Sequence, residues 1–112
     1  MAVKTYRRKP TTIEAVRWTG DNAAELRSWA VMPDGVPCFV SMDEEDAETT
    51  LGAEVFERFG DSGTTAALWV AANTQWLPIA DGEWVAKDKI GFYPIKDEVF
   101  IETYEEEGGV IE

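Results

Sequence analysis

Short apolar runs separated by turn signals are the feature that most constrains how this chain folds. Between residues 64 and 87 the sequence reads TTAALWVAANTQWLPIADGEWVAK. Its apolar runs are interrupted at Asn73-Thr74 and at Asp81-Gly82, residue pairs that favour tight turns between strands. Each run is too short for a typical helix and carries bulky apolar or aromatic residues. This segment therefore predicts consecutive antiparallel strands.

The rest of the chain adds further short strands and one helix. Asp21 or Asn22 can cap a helix whose apolar positions follow helical spacing, and Pro33 ends it. The segment 53–59 is compatible with a strand or a short helix, and we favour the strand. The other predicted strands are 11–18, 35–42, 64–72 and 99–105. The fold class predicted is α+β, a small, mainly antiparallel β-sheet covered by one N-terminal α-helix.

The length and the charge of the chain predict one domain with polar extensions. With 112 residues it is close to the common size of a single domain. We expect an extended arm over 1–11, an acidic loop over 43–52 and an acidic tail over 105–112. The formal net charge of -12 argues against binding to a nucleic-acid polymer, because such proteins neutralise phosphates with a basic face. A small phosphate ligand needs only a local positive site and stays possible.

The residue types argue against a catalytic centre. The sequence contains no histidine, which removes the commonest general base and the usual zinc ligand. Cys38 is the single cysteine and lies in an apolar run, so we expect an inert core thiol and no disulfide. The acidic run at 43–48 lacks the glycine of a calcium loop, and no phosphate-binding glycine loop is present. We predict a non-enzymatic protein without metal or cofactor.

Neither a signal peptide nor a membrane helix is predicted. The charged start is not followed by an apolar stretch, and no run reaches the roughly 18 apolar residues of a membrane span. We therefore expect no membrane partner and a location in a reducing cytoplasm.

Cations next to aromatic residues mark the candidate binding site. Arginine pairs with phosphate through two hydrogen bonds, and aromatic faces stack on bases. The alternative is that the rings belong to the core and the cations lie at solvated sheet edges. Taken together, these neighbourhoods in an acidic chain favour an anionic ligand that carries a base. The candidate ligand-binding residues are Tyr6, Arg8, Lys9, Arg17, Trp18, Lys87, Lys89, Phe92 and Tyr93.

Strand alternation suggests how the second group is arranged. Lys87 and Lys89 are expected to project from one side of the sheet, and Trp84 from the other side, into the core. The turn at Gly91 would bring Phe92 back beside the lysines.

Two terminal motifs resemble a known family. YRRKPTTIEAVRWTGDN near the start and GEWVAKDKIGFYPIKDEVFIETYE near the end resemble a widespread family of small proteins of tailed bacteriophages. That family is similar to the viral sponge proteins that sequester cyclic-nucleotide immune signals, the fourth anti-CBASS family. The resemblance covers both ends and hardly touches residues 40–63. KDKIGFYP stands where many relatives have a glycine-rich segment. The matching positions are Tyr6, Arg8, Lys9, Pro10, Arg17, Trp18, Trp84, Lys87, Phe92, Tyr93 and Pro94.

The resemblance implies a non-catalytic protein that binds a cyclic oligonucleotide, of the cyclic dinucleotide type, in the host cytoplasm. It also implies a homo-oligomer, with a tetramer favoured and ligand pockets at subunit interfaces. A second mechanism stays open beside it, in which an acidic phage protein inhibits a host protein by direct protein–protein binding.

Overall fold

Two small antiparallel sheets and four helices build the part of the fold that the structure describes. The computed structural model describes residues 3–6 and 12–105. Sheet I has the strand order β1-β5-β6, and sheet II has the order β2-β3-β4. In chain order the elements are β1 (Glu14–Arg17), α1 (Ala23–Trp29), β2 (Phe39–Ser41), α2 (Ala47–Leu51), α3 (Ala53–Asp61), β3 (Ala66–Val70), β4 (Gln75–Ile79), β5 (Trp84–Lys87), β6 (Phe92–Ile95) and α4 (Asp97–Thr103).

The main core lies between the two sheets and is closed by α1. Leu26 of α1 is fully buried against Leu68 of β3 and Val85 of β5. A second cluster lies on the other side of sheet II, where Leu51 and Phe59 of the helices α2 and α3 cover Ala67. Strand β3 is therefore buried on both faces, which explains why its sequence is apolar without alternation.

The predicted fold class is confirmed, and the number of sheets differs from the prediction. The α+β composition, the antiparallel pairing and the helix after β1 are all present. The turn at Asn73-Thr74 joins β3 to β4 as a hairpin, with Thr74 at a φ of 49°. The turn at Asp81-Gly82 instead carries the chain from sheet II into sheet I. The strands predicted to form one sheet thus form two, because β5 pairs with the distant β1 and not with β4.

Two segments predicted as strands are helices. In 53–59, the residues Val55, Phe56 and Phe59 lie on one side of a helix, and α3 packs them on sheet II. In 99–105, Phe100 and Tyr104 are four residues apart and make contact only because α4 is helical. Alternation over so few residues did not distinguish the two periods.

The acidic loop predicted over 43–52 contains the helix α2, so it is not a loop throughout. Glu44 also has a structural role, because its carboxylate accepts hydrogen bonds from Arg27 and from the backbone N–H of Ser41. The predicted arm over 1–11 and tail over 105–112 lie largely outside the described residues, which include only 3–6 and 105 of them. None of the described helices has the length and apolar character needed to cross a lipid bilayer.

Candidate functional site

The outer face of sheet I, the face turned away from the main core, carries a stack of aromatic rings. Val85 of β5 points into the core, so its neighbour Trp84 projects from the opposite face. Phe100 of α4 stacks on Trp84 with 3.8 Å between ring centroids and 5° between ring planes. Tyr104 continues the series at 5.2 Å from Phe100. All three rings are only half-buried, so they present aromatic surface to solvent.

This stack forms one wall of a groove, which we call the aromatic groove. Its volume is about 410 Å³, within the range of small-molecule sites in proteins. Strand β1 and the residues before it form the opposite wall, so the groove lies between an edge strand and the last described helix. The residues that line it are Thr12, Ile13, Ala15, Trp84, Phe100, Tyr104 and Glu105.

A shared carboxylate fixes Trp84 and places a cation beside it. The indole N–H of Trp84 donates to Oδ1 of Asp97 at 2.9 Å, and Oδ2 of the same residue lies 3.4 Å from Nη2 of Arg17. Arg17 stands opposite Trp84 in the pairing of β1 with β5. Its Nε–H donates to the carbonyl oxygen of Gly82 at 3.1 Å, which orients the guanidinium. A planar cation therefore lies next to the exposed ring stack.

The lysines of the predicted site lie at the far end of β5. Lys87 and Lys89 are exposed, and Nζ of Lys87 is 5.8 Å from the centre of the Phe92 ring. Within the described residues neither lysine forms an ion pair. A second groove of about 330 Å³, the turn groove, adjoins them. Its lining residues are Val70, Ala72, Asn73, Leu77, Asp88, Ile90, Gly91, Phe92, Tyr93 and Pro94.

Two predicted ligand residues belong to the core instead. Trp18 is 1% exposed, and its indole N–H donates to Oγ1 of Thr65 at 2.8 Å. Phe92 is 4% exposed and packs edge-to-face on Trp29. Trp18 has no face available for stacking on a base, and Phe92 contributes only 4% exposed surface to the turn groove, so we correct their predicted role to a structural one. Trp84 was predicted to enter the core, and it lies on the outer face.

The remaining predicted residues divide between the two grooves and the arm. Arg17 pairs with Asp97 next to Trp84 but is not among the residues that line the aromatic groove, whereas Lys87, Lys89 and Tyr93 are near the turn groove. Tyr6 is 83% exposed. The other two predicted arm residues, Arg8 and Lys9, lie outside the described residues. The structure thus brings together parts of the predicted site but not the whole of it.

Asp97, Phe100 and Tyr104 were missed as site residues. The signal that could have found them is the four-residue spacing of Phe100 and Tyr104. Acidic residues at Asp97 and Glu98 are also typical of a first helical turn. Trp84 was noted as a matching position of the family resemblance, and strand alternation predicted it in the core.

Other reactive groups add no chemistry to either groove. Cys38 is buried, and burial, with the nearby Asp34 carboxylate, raises the pKa of its thiol above its ordinary value. The thiol is therefore protonated at neutral pH and a poor nucleophile. Over residues 3–6 and 12–105, no cluster of three or more metal-ligating side chains is found.

Comparison of the chain with known protein families, with curated proteins and with solved structures found no match.

Proposed function

We propose that the chain is a non-catalytic binding protein that sequesters a cyclic oligonucleotide of the cyclic dinucleotide type in the host cytoplasm. The observation that carries this proposal is the half-exposed stack of Trp84, Phe100 and Tyr104 with Arg17 beside it. The resemblance of the two terminal motifs to phage sponge proteins supports the same ligand class.

The groove chemistry suits a ligand with a flat base and a phosphate. A base can extend the ring stack, and stacking on an aromatic side chain contributes about 1–3 kcal/mol per base. Arg17 offers its guanidinium for a phosphate, to which arginine binds through two parallel hydrogen bonds. Sequestration needs tight binding and no proton transfer, so no acid–base pair is required.

Lys87 and Lys89 form a second cationic region, separate from Arg17, in this proposal. With a rise of about 3.3 Å per residue, the Cα of Lys87 lies about 10 Å from that of Trp84 along β5. Strand alternation places Lys87 on the face opposite Trp84, so a ligand with two phosphates approaches both Arg17 and Lys87 only by passing around the edge of the sheet. Loss of affinity in Lys87→Ala would therefore show that the site extends beyond the aromatic groove.

The experiment is a titration of the purified chain with cyclic dinucleotides and linear nucleotides by calorimetry. We expect at least one cyclic dinucleotide to bind and to raise the melting temperature, because a ligand specific for the native state stabilises it. Tyr104→Ala, which removes a groove ring, should weaken binding about tenfold, in line with the stacking contribution. The matched control is Thr103→Ala, which truncates an exposed residue of the same helix outside the groove lining.

Direct inhibition of a host protein is the second candidate function. Its supporting observation is the exposed carboxylates of Asp43, Glu45, Asp46 and Glu48 around the start of α2, in a chain of net charge -12. A basic protein surface would be the complementary partner. Two results together would favour this function over the first. No nucleotide binds, and a basic host protein binds to the wild type but not to the double variant Asp43→Asn/Glu45→Gln.

A homo-oligomer is part of the proposal, with a tetramer favoured. Among the described residues, Ile90, Val99 and Ile101 are apolar side chains between 49% and 68% exposed. Apolar surface of this kind is available for contacts between copies. Light scattering at micromolar concentration should give a multiple of 12.5 kDa, and a mass of a single chain would contradict it.

A further inference from the structure

We propose that Asp97 occupies the phosphate position of Arg17 in the ligand-free protein and that a ligand phosphate replaces it there. Asp97 is then a specificity-determining residue, which lowers the affinity of the site for bases that carry a phosphate and does not act on nucleosides. This inference rests on the proposed function and adds to it a residue that sets how strongly nucleotides are preferred over nucleosides.

The two carboxylate oxygens of Asp97 have different partners. Oδ1 accepts the Trp84 indole N–H at 2.9 Å, whereas Oδ2 faces Nη2 of Arg17 at 3.4 Å. The contact with Trp84 has hydrogen-bond length, and the contact with Arg17 is longer than a charged hydrogen bond normally is. The carboxylate thus holds the indole firmly and the guanidinium loosely.

Arg17 keeps its position when a phosphate oxygen of the ligand replaces Oδ2 of Asp97. Its Nε–H is anchored on the carbonyl oxygen of Gly82, independently of Asp97. The side chains of Arg17 and Asp97 are 47% and 41% exposed, so solvent screens their attraction and the pair contributes little to stability. A phosphate offers more acceptor oxygens and a higher charge than Oδ2, and it fits the guanidinium in a bidentate way.

Ligands without a phosphate do not displace Asp97 from Arg17. A nucleoside that stacks on Trp84 leaves Asp97 paired with Arg17 and gains no charged contact. A nucleotide exchanges the carboxylate for its phosphate, while Oδ1 keeps the indole of Trp84 oriented for stacking. Removal of the negative charge of Asp97 should therefore help nucleotides and leave nucleosides unaffected.

The variant Asp97→Asn separates the two roles, because its amide oxygen still accepts from the indole N–H but carries no charge. We expect affinity for cyclic di-AMP or cyclic di-GMP to rise about fivefold, as removal of one charge at this distance in a half-exposed site predicts. Affinity for adenosine and guanosine should not change. Asp97→Ala, which also frees the indole, should bind both classes more weakly than Asp97→Asn does.

Two measurements guard against an indirect effect. The indole N–H resonance of Trp84, assigned by its loss in Trp84→Phe, should keep its hydrogen-bonded position in Asp97→Asn and move in Asp97→Ala. In an Arg17→Gln background, Asp97→Asn should no longer raise affinity for the cyclic dinucleotides, because the guanidinium for which Asp97 and the ligand phosphate compete is then absent.

The outcomes distinguish this inference from the proposed function. If the wild type binds a cyclic dinucleotide but Asp97→Asn binds it equally or more weakly, the inference is overturned and the proposed function stands. An equal gain for adenosine or guanosine also overturns it. If neither cyclic dinucleotide binds to any variant at millimolar concentration, both proposals are overturned.

Discussion

Two tryptophans show, at the scale of single residues, how burial separates a core residue from a candidate ligand residue. Trp18 follows Arg17 in the chain and is buried, whereas Trp84 faces Arg17 across the strands and stays half-exposed. Each indole N–H has a partner, the hydroxyl of Thr65 for Trp18 and the carboxylate of Asp97 for Trp84. The first contact lies beneath the surface and the second at a groove, so only Trp84 can meet a ligand.

Trp18→Phe tests this assignment. Loss of the hydrogen bond to Thr65 and of ring volume in the core should lower the free energy of unfolding by about 1–3 kcal/mol. Nucleotide affinity of the folded variant should stay within about twofold of the wild type, since no ligand touches the indole. Urea titration measures the first and calorimetry the second. If the folded Trp18→Phe protein binds the nucleotide much more weakly, Trp18 belongs to the ligand site and this assignment is wrong.

The thiol of Cys38 gives a prediction on pH. Burial raises the pKa of this group in the folded state, so the folded chain holds its proton at a pH where the unfolded chain releases it. The stability that this provides is complete below the unfolded-state pKa of about 8.5 and is lost as pH rises toward the folded value. Melting between pH 7 and pH 10 should show a decline that is smaller in Cys38→Ala. Equal declines in both proteins would show that the thiol does not titrate differently on folding.

At the scale of elements, Gly52 separates two helices that would otherwise be continuous. It stands between α2 and α3 with a φ of 91° and a ψ of 148°, a region open almost only to glycine. This break turns α3 so that Phe59 reaches the second cluster beside Leu51.

Gly52→Ala should therefore reduce the free energy of unfolding by about 1–3 kcal/mol, although the added Cβ meets no atom within 4 Å. The matched control is Gly60→Ala inside α3, which also meets no atom within 4 Å and has no positive φ. This substitution should stabilise by about 0.5 kcal/mol through helix propensity. Denaturant titration of the two variants compares them directly, and equal changes would show that backbone strain is not the cause.

The elements also show what the sequence could reveal. Strands β3 and β4 were predictable because the turn at Asn73-Thr74 and the apolar run before it are local signals. The helix α4 had only weak local signals, and its contact between Phe100 and Trp84 joins residues from different elements, so the sequence did not show it. The same limit applies to the site. Arg17 was found as a cation beside an aromatic ring in sequence, but its aromatic neighbour at the groove is Trp84, which the pairing of β1 with β5 supplies.

At the scale of the whole molecule, the net charge of -12 acts on any anionic ligand before contact. The repulsive field extends about 30 Å at 0.01 M salt and about 8 Å at 0.15 M. We expect the association rate constant of a cyclic dinucleotide to increase with ionic strength over this range, the reverse of ordinary electrostatic attraction. Stopped-flow tryptophan fluorescence measures it. A rate constant that falls with salt would show that local cations, and not the net charge, govern the approach.

The pairing of β1 with β5 has a consequence for the newly made chain. Sheet II with α2 and α3 is built from the continuous segment 39–79, so it can form from neighbouring sequence. Sheet I joins Arg17 to Trp84 and Glu14 to Lys87, so its edge strand is synthesised roughly 70 residues before its partner. At about 5–20 residues per second, ribosomes need about 4–14 s to cover that interval. During this interval β1 has no strand to pair with. The aromatic groove needs both β1 and Trp84, so it is among the last parts of the protein to form.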